Sequence, residues 1–284
     1  MLPQHRRDSP GARPAGLILA SASPRRRELL AQAGYQFQVV PSHVEEPNSS
    51  APAGWRAPAW GGRAPAARQT AIELARAKAR AVAAAYPSHV VLAADTLVLL
   101  KGHILGKPAD AADARRLLRR LRGTRHTVVT GVALRWGEVE RTGADETVVV
   151  MKRVTDEAID AYVATGEPMG KAGAYAVQEE GDRFIERMEG SYTNVVGLPM
   201  ELVARMLGEM GITPVGGPRL LVDGRPAAGA RQPDAEGGTG TRSLSARADA
   251  TGALPEAGHP VPPRARRWVP APWSSPSDVS KSQE

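Results

Sequence analysis

Leu17-Ile18-Leu19-Ala20-Ser21-Ala22-Ser23-Pro24-Arg25-Arg26-Arg27-Glu28-Leu29-Leu30 is the stretch that decides the fold. Its four leading apolar residues read as a short strand. Ser23-Pro24 then starts a helix, with Ser at the N-cap and Pro at the first helical position. Leu29, Leu30 and Ala33 give that helix an inner face, and Gly34 ends it. A strand passing through a polar loop into a helix opens an α/β unit. In such sheets ligands bind at the carboxyl ends of strands, which is where this loop lies. Arg25, Arg26 and Arg27 sit in the helix's first turn, where the macrodipole is positive and each Arg costs a few tenths of a kcal/mol. The free N–H groups of the same turn add to that potential. A bound phosphate removes the conflict, with Ser21 and Ser23 as further donors. Three solvated arginines are the plainer alternative.

Outward from this unit the chain keeps alternating. Strands are expected at 37–40, 90–94, 127–136, 147–153, 174–177 and 183–188, with 96–100 extending or pairing with 90–94. Helices are expected at 67–85, from the Asp110 cap to 122 with Gly123 closing it, from the Thr155 cap to Gly166, and from Pro199 to 210. The chain is therefore of the α/β class, with one domain over 15–213. Residues 1–14 read as a mobile arm. Residues 214–284 hold 11 Pro and 9 Gly and no Ile or Phe, too little apolar surface to offset the entropy of ordering. That tail reads as mostly disordered, and 47–66, with Trp55 and Trp60, as a loop.

Composition narrows the chemistry. With no cysteine among 284 residues, disulfides and cysteine-ligated metal centres are excluded. No apolar run reaches the ~18 residues of a membrane span, and no apolar core of a signal peptide follows Arg6 and Arg7. A cytoplasmic protein is the expectation. The formal charge of +7 suits an anionic partner without naming it. Among motifs, the Walker glycine loop, the dinucleotide fingerprint and the nucleophile elbow are all missing. The six histidines are scattered without ligand spacing, and His126, just before a strand, reads as a local hydrogen-bonding residue.

Three further groups stand out. Asp95-Thr96 follows the buried run Val90-Val91-Leu92-Ala93-Ala94, so the carboxylate is expected at a strand end, partly desolvated and in need of a cation, a metal or hydrogen bonds. Taken alone, Asp95 capping a turn through its own backbone is the better reading. It gains weight from Gly106-Lys107-Pro108, a tight turn presenting Lys107, and from Glu45-Glu46 after another strand. Carboxylates supply the hard oxygen ligands of Mg²⁺ or Mn²⁺, and cations take phosphate oxygens. In the long helix, Lys78 is placed to reach the same cleft. Lys171-Ala172-Gly173-Ala174-Tyr175-Ala176-Val177-Gln178 has polar ends at Lys171 and Gln178 around small residues, and an amide can read a nucleobase edge. By itself this segment is also an ordinary Ala/Gly strand start.

In this order, the opening stretch, Leu74-Ala75-Arg76-Ala77-Lys78-Ala79, Ala93-Ala94-Asp95-Thr96, Gly106-Lys107-Pro108, residues 123–132, Gly166-Glu167-Pro168-Met169, residues 171–175 and Asn194-Val195-Val196-Gly197-Leu198-Pro199 resemble the Maf-type nucleotide pyrophosphatases over about 16–211. The resemblance implies an elongated mixed sheet flanked by helices, with two lobes around a central cleft, as in inosine triphosphate pyrophosphatases. It implies hydrolysis of nucleoside triphosphates to monophosphate and pyrophosphate with a divalent cation, with Asp95 as proton acceptor. It also implies a base-selective trio at Arg25, Thr96 and Gln178, the pattern of the dTTP/UTP branch rather than the branch acting on modified guanine nucleotides. On this reading Ser21, Arg25, Arg26 and Lys107 hold the triphosphate with Lys78 and Lys171 assisting, and Glu45, Glu46 and Asp95 hold the metal. Three positions depart from the family pattern: Gly170 replaces an Asp, and Glu179 and Glu180 stand where Gly follows the glutamine. A homodimer is implied by resemblance only. The net charge and basic tail motivate a second reading, a regulatory nucleotide- or nucleic-acid-binding protein, whose link to septum formation is implied by the family resemblance alone; nucleic acid is the less favoured partner. A pyrophosphatase for a modified nucleotide is the third.

Overall fold

The computed structural model describes residues 13–44, 64–178 and 180–216, and the backbone of 221–222, 225–226 and 267–268. Glu45, Glu46, Glu179, Trp55, Trp60 and residues 1–12 lie outside these. In chain order the elements are β1 (Leu17–Leu19), α1 (Pro24–Gln32), β2 (Gln38–Val39), α2 (Ala64–Ala83), β3 (Val90–Leu100), β4 (His103–Leu105), α3 (Ala111–Leu121), β5 (Arg125–Trp136), β6 (Val139–Met151), α4 (Asp156–Ala164), β7 (Ile185–Glu189), α5 (Tyr192–Val196), α6 (Met200–Glu209) and three two-residue strands. The latter are β8 (Leu221–Val222), β9 (Arg225–Pro226) and β10 (Arg267–Trp268). No helix among the described residues is long and apolar enough to cross a membrane.

The strands form one mixed sheet in the order β10-β7-β6-β5-β3-β1-β2, with β4 also on β3, while β8 pairs with β9 separately. β2, β1 and β3 are mutually parallel; from β3 to β7 the pairings are antiparallel. The α/β expectation and the mixed sheet are thus met. Side chains on β3 alternate faces. Val90, Leu92 and Ala94 join the large core with Leu29, Leu117 and Tyr162, whereas Val91 and Ala93 pack against Ala75 and Ala79 of α2.

The seating of α2 rests on small residues. Ala67, Ala71, Ala75 and Ala79 recur at one-turn spacing and are buried. Opposite them, Gly131 on β5 has no side chain to intervene. A Cβ there would come within 2.2 Å of the Ala71 backbone carbonyl carbon. A glycine inside a strand marks this kind of backbone approach.

Two sequence expectations are corrected. Residues 96–100 extend the 90–94 strand, one of the two alternatives expected, so Asp95 lies inside β3 rather than at a strand end; it faces α2 and finds a charged partner there. Residues 174–177 are not a strand: Gly173 and Ala174 both take positive φ, 71° and 62°, and the chain forms a 3₁₀ turn over Ala172–Ala174. Ser23 occupies the N-cap of α1, but its side chain makes no capping bond; Asp110 and Thr155 do cap α3 and α4.

His126 at the start of β5 is buried at 3% exposure and holds the Tyr175 hydroxyl at 2.6 Å through Nε2. Burial lowers its imidazole from 6.5 to about 4. The unfolded chain therefore takes up a proton that the folded chain refuses. Stability from this residue is complete above pH 6.5 and drains away as the pH falls towards 4. The full effect is about 3 kcal/mol. Urea unfolding across that window is expected to show a slope that His126→Gln flattens; equal slopes in the two chains would contradict this assignment.

Candidate active site

The site arises from an interruption in the sheet. β1 pairs with residues 90–92 of β3, and β4 pairs with residues 98–100. Between them, residues 93–97 keep β5 on one edge and have no strand partner on the other among the described residues. The chain leaving β1 enters this gap from one end, carrying Ser21, Arg25 and Arg26. The turn after β4 enters from the opposite end, carrying Lys107. Gly173 N–H donates to the Gly106 carbonyl at 3.0 Å, which ties the Lys171 segment to that turn. The result is a cleft of about 390 Å³ lined by Ser21, Arg25, Arg26, Lys78, Asp95, Thr96, Lys107, Gly170, Lys171 and Tyr175, among others.

Asp95 lies at the centre. The Lys78 ammonium donates to its Oδ1 at 2.6 Å, and both side chains are about 6% exposed. A buried charge pair of this kind is costly to break from one side, since the remaining charge is left uncompensated. Lys78 reaches Asp95 because it is two turns along α2 from Ala71, the residue pressed on Gly131. Gly131 in turn is the register partner of Asp95 across β3 and β5. The glycine thus sets the distance at which the ion pair forms.

Arg26 is held on three sides. Its Nε donates to the Gly197 carbonyl at 2.8 Å, Nη1 to Ser21 Oγ at 3.3 Å and Nη2 to Thr96 Oγ1 at 3.1 Å. Gly197 ends α5 at φ 118°, a left-handed cap that turns its carbonyl onto the guanidinium. Arg25 lines the cleft half-buried, whereas Arg27 is exposed and does not line it.

Lys171 faces the Glu167 carboxylate at 3.8 Å. Glu167 also accepts from the Tyr162 hydroxyl and from the Glu180 and Gly181 amides, and so folds the whole 167–181 segment around one carboxylate. Burial raises the Tyr175 phenol, which keeps it protonated.

The structure thus brings Ser21, Arg25, Arg26, Lys78, Asp95, Thr96, Lys107 and Lys171 to one cleft. Gln178 is exposed just past Val177 and is not part of the lining. Glu180 is exposed and faces Arg183 at 3.5 Å. Gly170 takes φ 72°, a conformation an Asp would adopt only with strain. Glu45 and Glu46 lie outside the described residues, but Val44, immediately before them, lines the cleft. Sequence reading gave no role to Gly131, Thr130, Glu167 or Asn194. For Gly131 a signal existed, a glycine in the middle of a strongly β-branched run; for the others nothing in the spacing showed the contact.

Five cations and one carboxylate among the described lining residues create a strongly positive pocket with a single acidic centre. Such a pocket attracts a polyanion, and it places a carboxylate where a water can be held beside that polyanion.

Comparison with known proteins agrees with this chemistry. The family model for Maf-like proteins matches residues 16–210. A protein of Koribacter versatilis named dTTP/UTP pyrophosphatase is 48% identical over 197 residues, covering 69% of this chain and 95% of its own. Proteins with the same name from Anaeromyxobacter dehalogenans and Geobacter sulfurreducens are 47% and 48% identical over 199 and 200 residues, each covering 69% of this chain and 94% and 96% of their own.

Proposed function

We propose that this chain, which belongs to the Maf family, hydrolyses nucleoside triphosphates, dTTP and UTP foremost, to the monophosphate and pyrophosphate. In that role it cleans the nucleotide pool of the cytoplasm. The observation that carries the reading is the Asp95–Lys78 pair at the floor of a cleft whose other charged lining residues, among those described, are cationic.

The triphosphate lies along the gap in the sheet, with Arg25 and Arg26 at one end and Lys107 and Lys171 at the other. Asp95 holds the attacking water against the α-phosphorus and accepts its proton. The bond from the α-phosphorus to the bridging oxygen breaks, and pyrophosphate leaves towards the cations. Lys78 compensates the charge of Asp95 in the absence of bulk water. Positioning and fixed charge supply most of the acceleration, as is general in phosphoryl transfer.

A divalent cation fits this donor set. Mg²⁺ typically takes one or two carboxylates together with substrate phosphates. Asp95 provides one; Glu45 and Glu46, the next residues in sequence after Val44, lie outside the described residues and are our candidates for the second. When bound, the ion would neutralise charge on the phosphates and acidify water. A homodimer is our expectation for the assembly.

The test is a panel of canonical and modified triphosphates with Mg²⁺ or Mn²⁺, scored by pyrophosphate release. dTTP and UTP are expected to give the largest kcat/KM. A modified guanine nucleotide at the head of the panel, or salt-sensitive DNA binding without hydrolysis, would overturn the reading.

A further inference from the structure

Thr96 faces the cleft, yet the proton of its hydroxyl points away from it. Thr130 Oγ1 lies 2.9 Å from the Asn194 carbonyl and 3.0 Å from Thr96 Oγ1. A threonine hydroxyl has one proton. Thr130 gives its proton to the carbonyl, which can only accept, so Thr130 accepts from Thr96. Thr96 in turn accepts from Arg26 Nη2 at 3.1 Å. The bonds therefore run in one direction, from Arg26 to Thr96 to Thr130 to the Asn194 carbonyl.

The far end of this chain is rigid. Asn194 is fully buried, and its Nδ2 donates to the Val128 carbonyl at 3.0 Å and to Thr147 Oγ1 at 2.9 Å. These bonds pin α5 to β5 and β6. The same short helix ends in Gly197, whose carbonyl receives Arg26 Nε. Both ends of the guanidinium are thus registered to one helix, directly through Gly197 and indirectly through two threonines. A charged group held by polar contacts on a buried frame keeps its orientation without a bound ligand.

We infer that Thr130 is a positioning residue that acts through Thr96 on Arg26, and that Thr96 serves the phosphate-binding arginine rather than donating to the nucleobase. This inference deepens the proposed function and rests on its assignment of Arg26 to the triphosphate. It makes a distinction that base recognition does not: loss of either hydroxyl weakens binding of a polyphosphate that has no base at all.

The experiment compares the full chain with Thr130→Val, Thr130→Ser, Thr96→Val and the Thr96→Val/Thr130→Val double variant. Two readouts are used, kcat and KM for dTTP hydrolysis and the affinity for inorganic tripolyphosphate measured by thermal shift. Thr130→Val is expected to weaken tripolyphosphate by about tenfold, the upper end for loss of one neutral hydrogen bond, and Thr130→Ser to restore it. Thr96→Val is expected to do the same to tripolyphosphate and dTTP alike. The double variant is expected to match the worse single one, since both break one chain of bonds. Additive losses, or a Thr96→Val loss confined to dTTP, would overturn the inference. Should Thr130→Val fail to fold, Thr130→Ala takes its place in the same assays, and wild-type tripolyphosphate affinity in that variant overturns the inference. A wild-type chain that binds tripolyphosphate but hydrolyses no nucleotide would sink the proposed function and leave the tripolyphosphate comparison valid.

Discussion

Asp95→Asn is expected to lower kcat for dTTP by on the order of 10³-fold, within the range contributed by a positioned proton acceptor. The substitution keeps the shape of the side chain and removes its charge. The amide oxygen can still accept from Lys78, so the geometry of β3 against α2 is retained. What is lost is the base, and with it the compensation of a buried ammonium. Breaking a buried pair from one side costs about 3–5 kcal/mol, and the surviving hydrogen bond reduces that here. A lower melting temperature with a folded chain is therefore the expected background. KM should move far less than kcat, because the cations that hold the triphosphate are untouched. A variant that keeps wild-type turnover removes Asp95 from the chemistry.

The second large effect is structural. Gly131→Ala is expected to destabilise the chain by about 3 kcal/mol, the upper end for overpacking, or about 10 °C in melting temperature for a domain of this size. The new Cβ would meet the Ala71 carbonyl carbon at 2.2 Å and its oxygen at 2.3 Å. Both are helix backbone, so no rotamer change relieves the contact, and α2 must lift from the sheet. Lys78 rides on that helix, and its 2.6 Å bond to Asp95 cannot survive a rigid shift of this direction. Activity should thus fall together with stability. Calorimetry and kcat on the same preparation check both. An Ala variant with an unchanged melting temperature would mean that α2 is not seated on Gly131.

Much of this architecture was legible in the sequence, for identifiable reasons. The β1–α1 unit declares itself by an apolar run, a Ser-Pro helix start and a stop at Gly34. The three arginines stand out because they conflict with the helix dipole, and the fold brings two of them, Arg25 and Arg26, to the cleft. Asp95 is visible as a carboxylate following an apolar run, and Lys107 as the lysine of a Gly-Lys-Pro turn. Other features were not. That 96–100 extends the strand is one of two alternatives the sequence leaves open; what decides it is Lys78, arriving from a helix 17 residues away in sequence to pair with a carboxylate in a buried run. The 174–177 segment has strand composition, but the positive φ at Ala174 reflects its attachment to the Gly106 turn. The Arg26–Thr96–Thr130–Asn194 chain joins residues up to 168 positions apart, so no local pattern reveals it. Gln178 shows the reverse case, a residue singled out by motif position that the fold leaves exposed outside the cleft lining.

In the proposed reaction, water attacks the α-phosphorus from the Asp95 side while pyrophosphate departs into the cationic wall. Turnover of dTTP in isotopically heavy water, with the products separated by mass spectrometry, tests it most directly. One heavy oxygen is expected in the monophosphate and none in the pyrophosphate. Label in pyrophosphate, or release of orthophosphate as the first product, would place the attack at another phosphorus and contradict it.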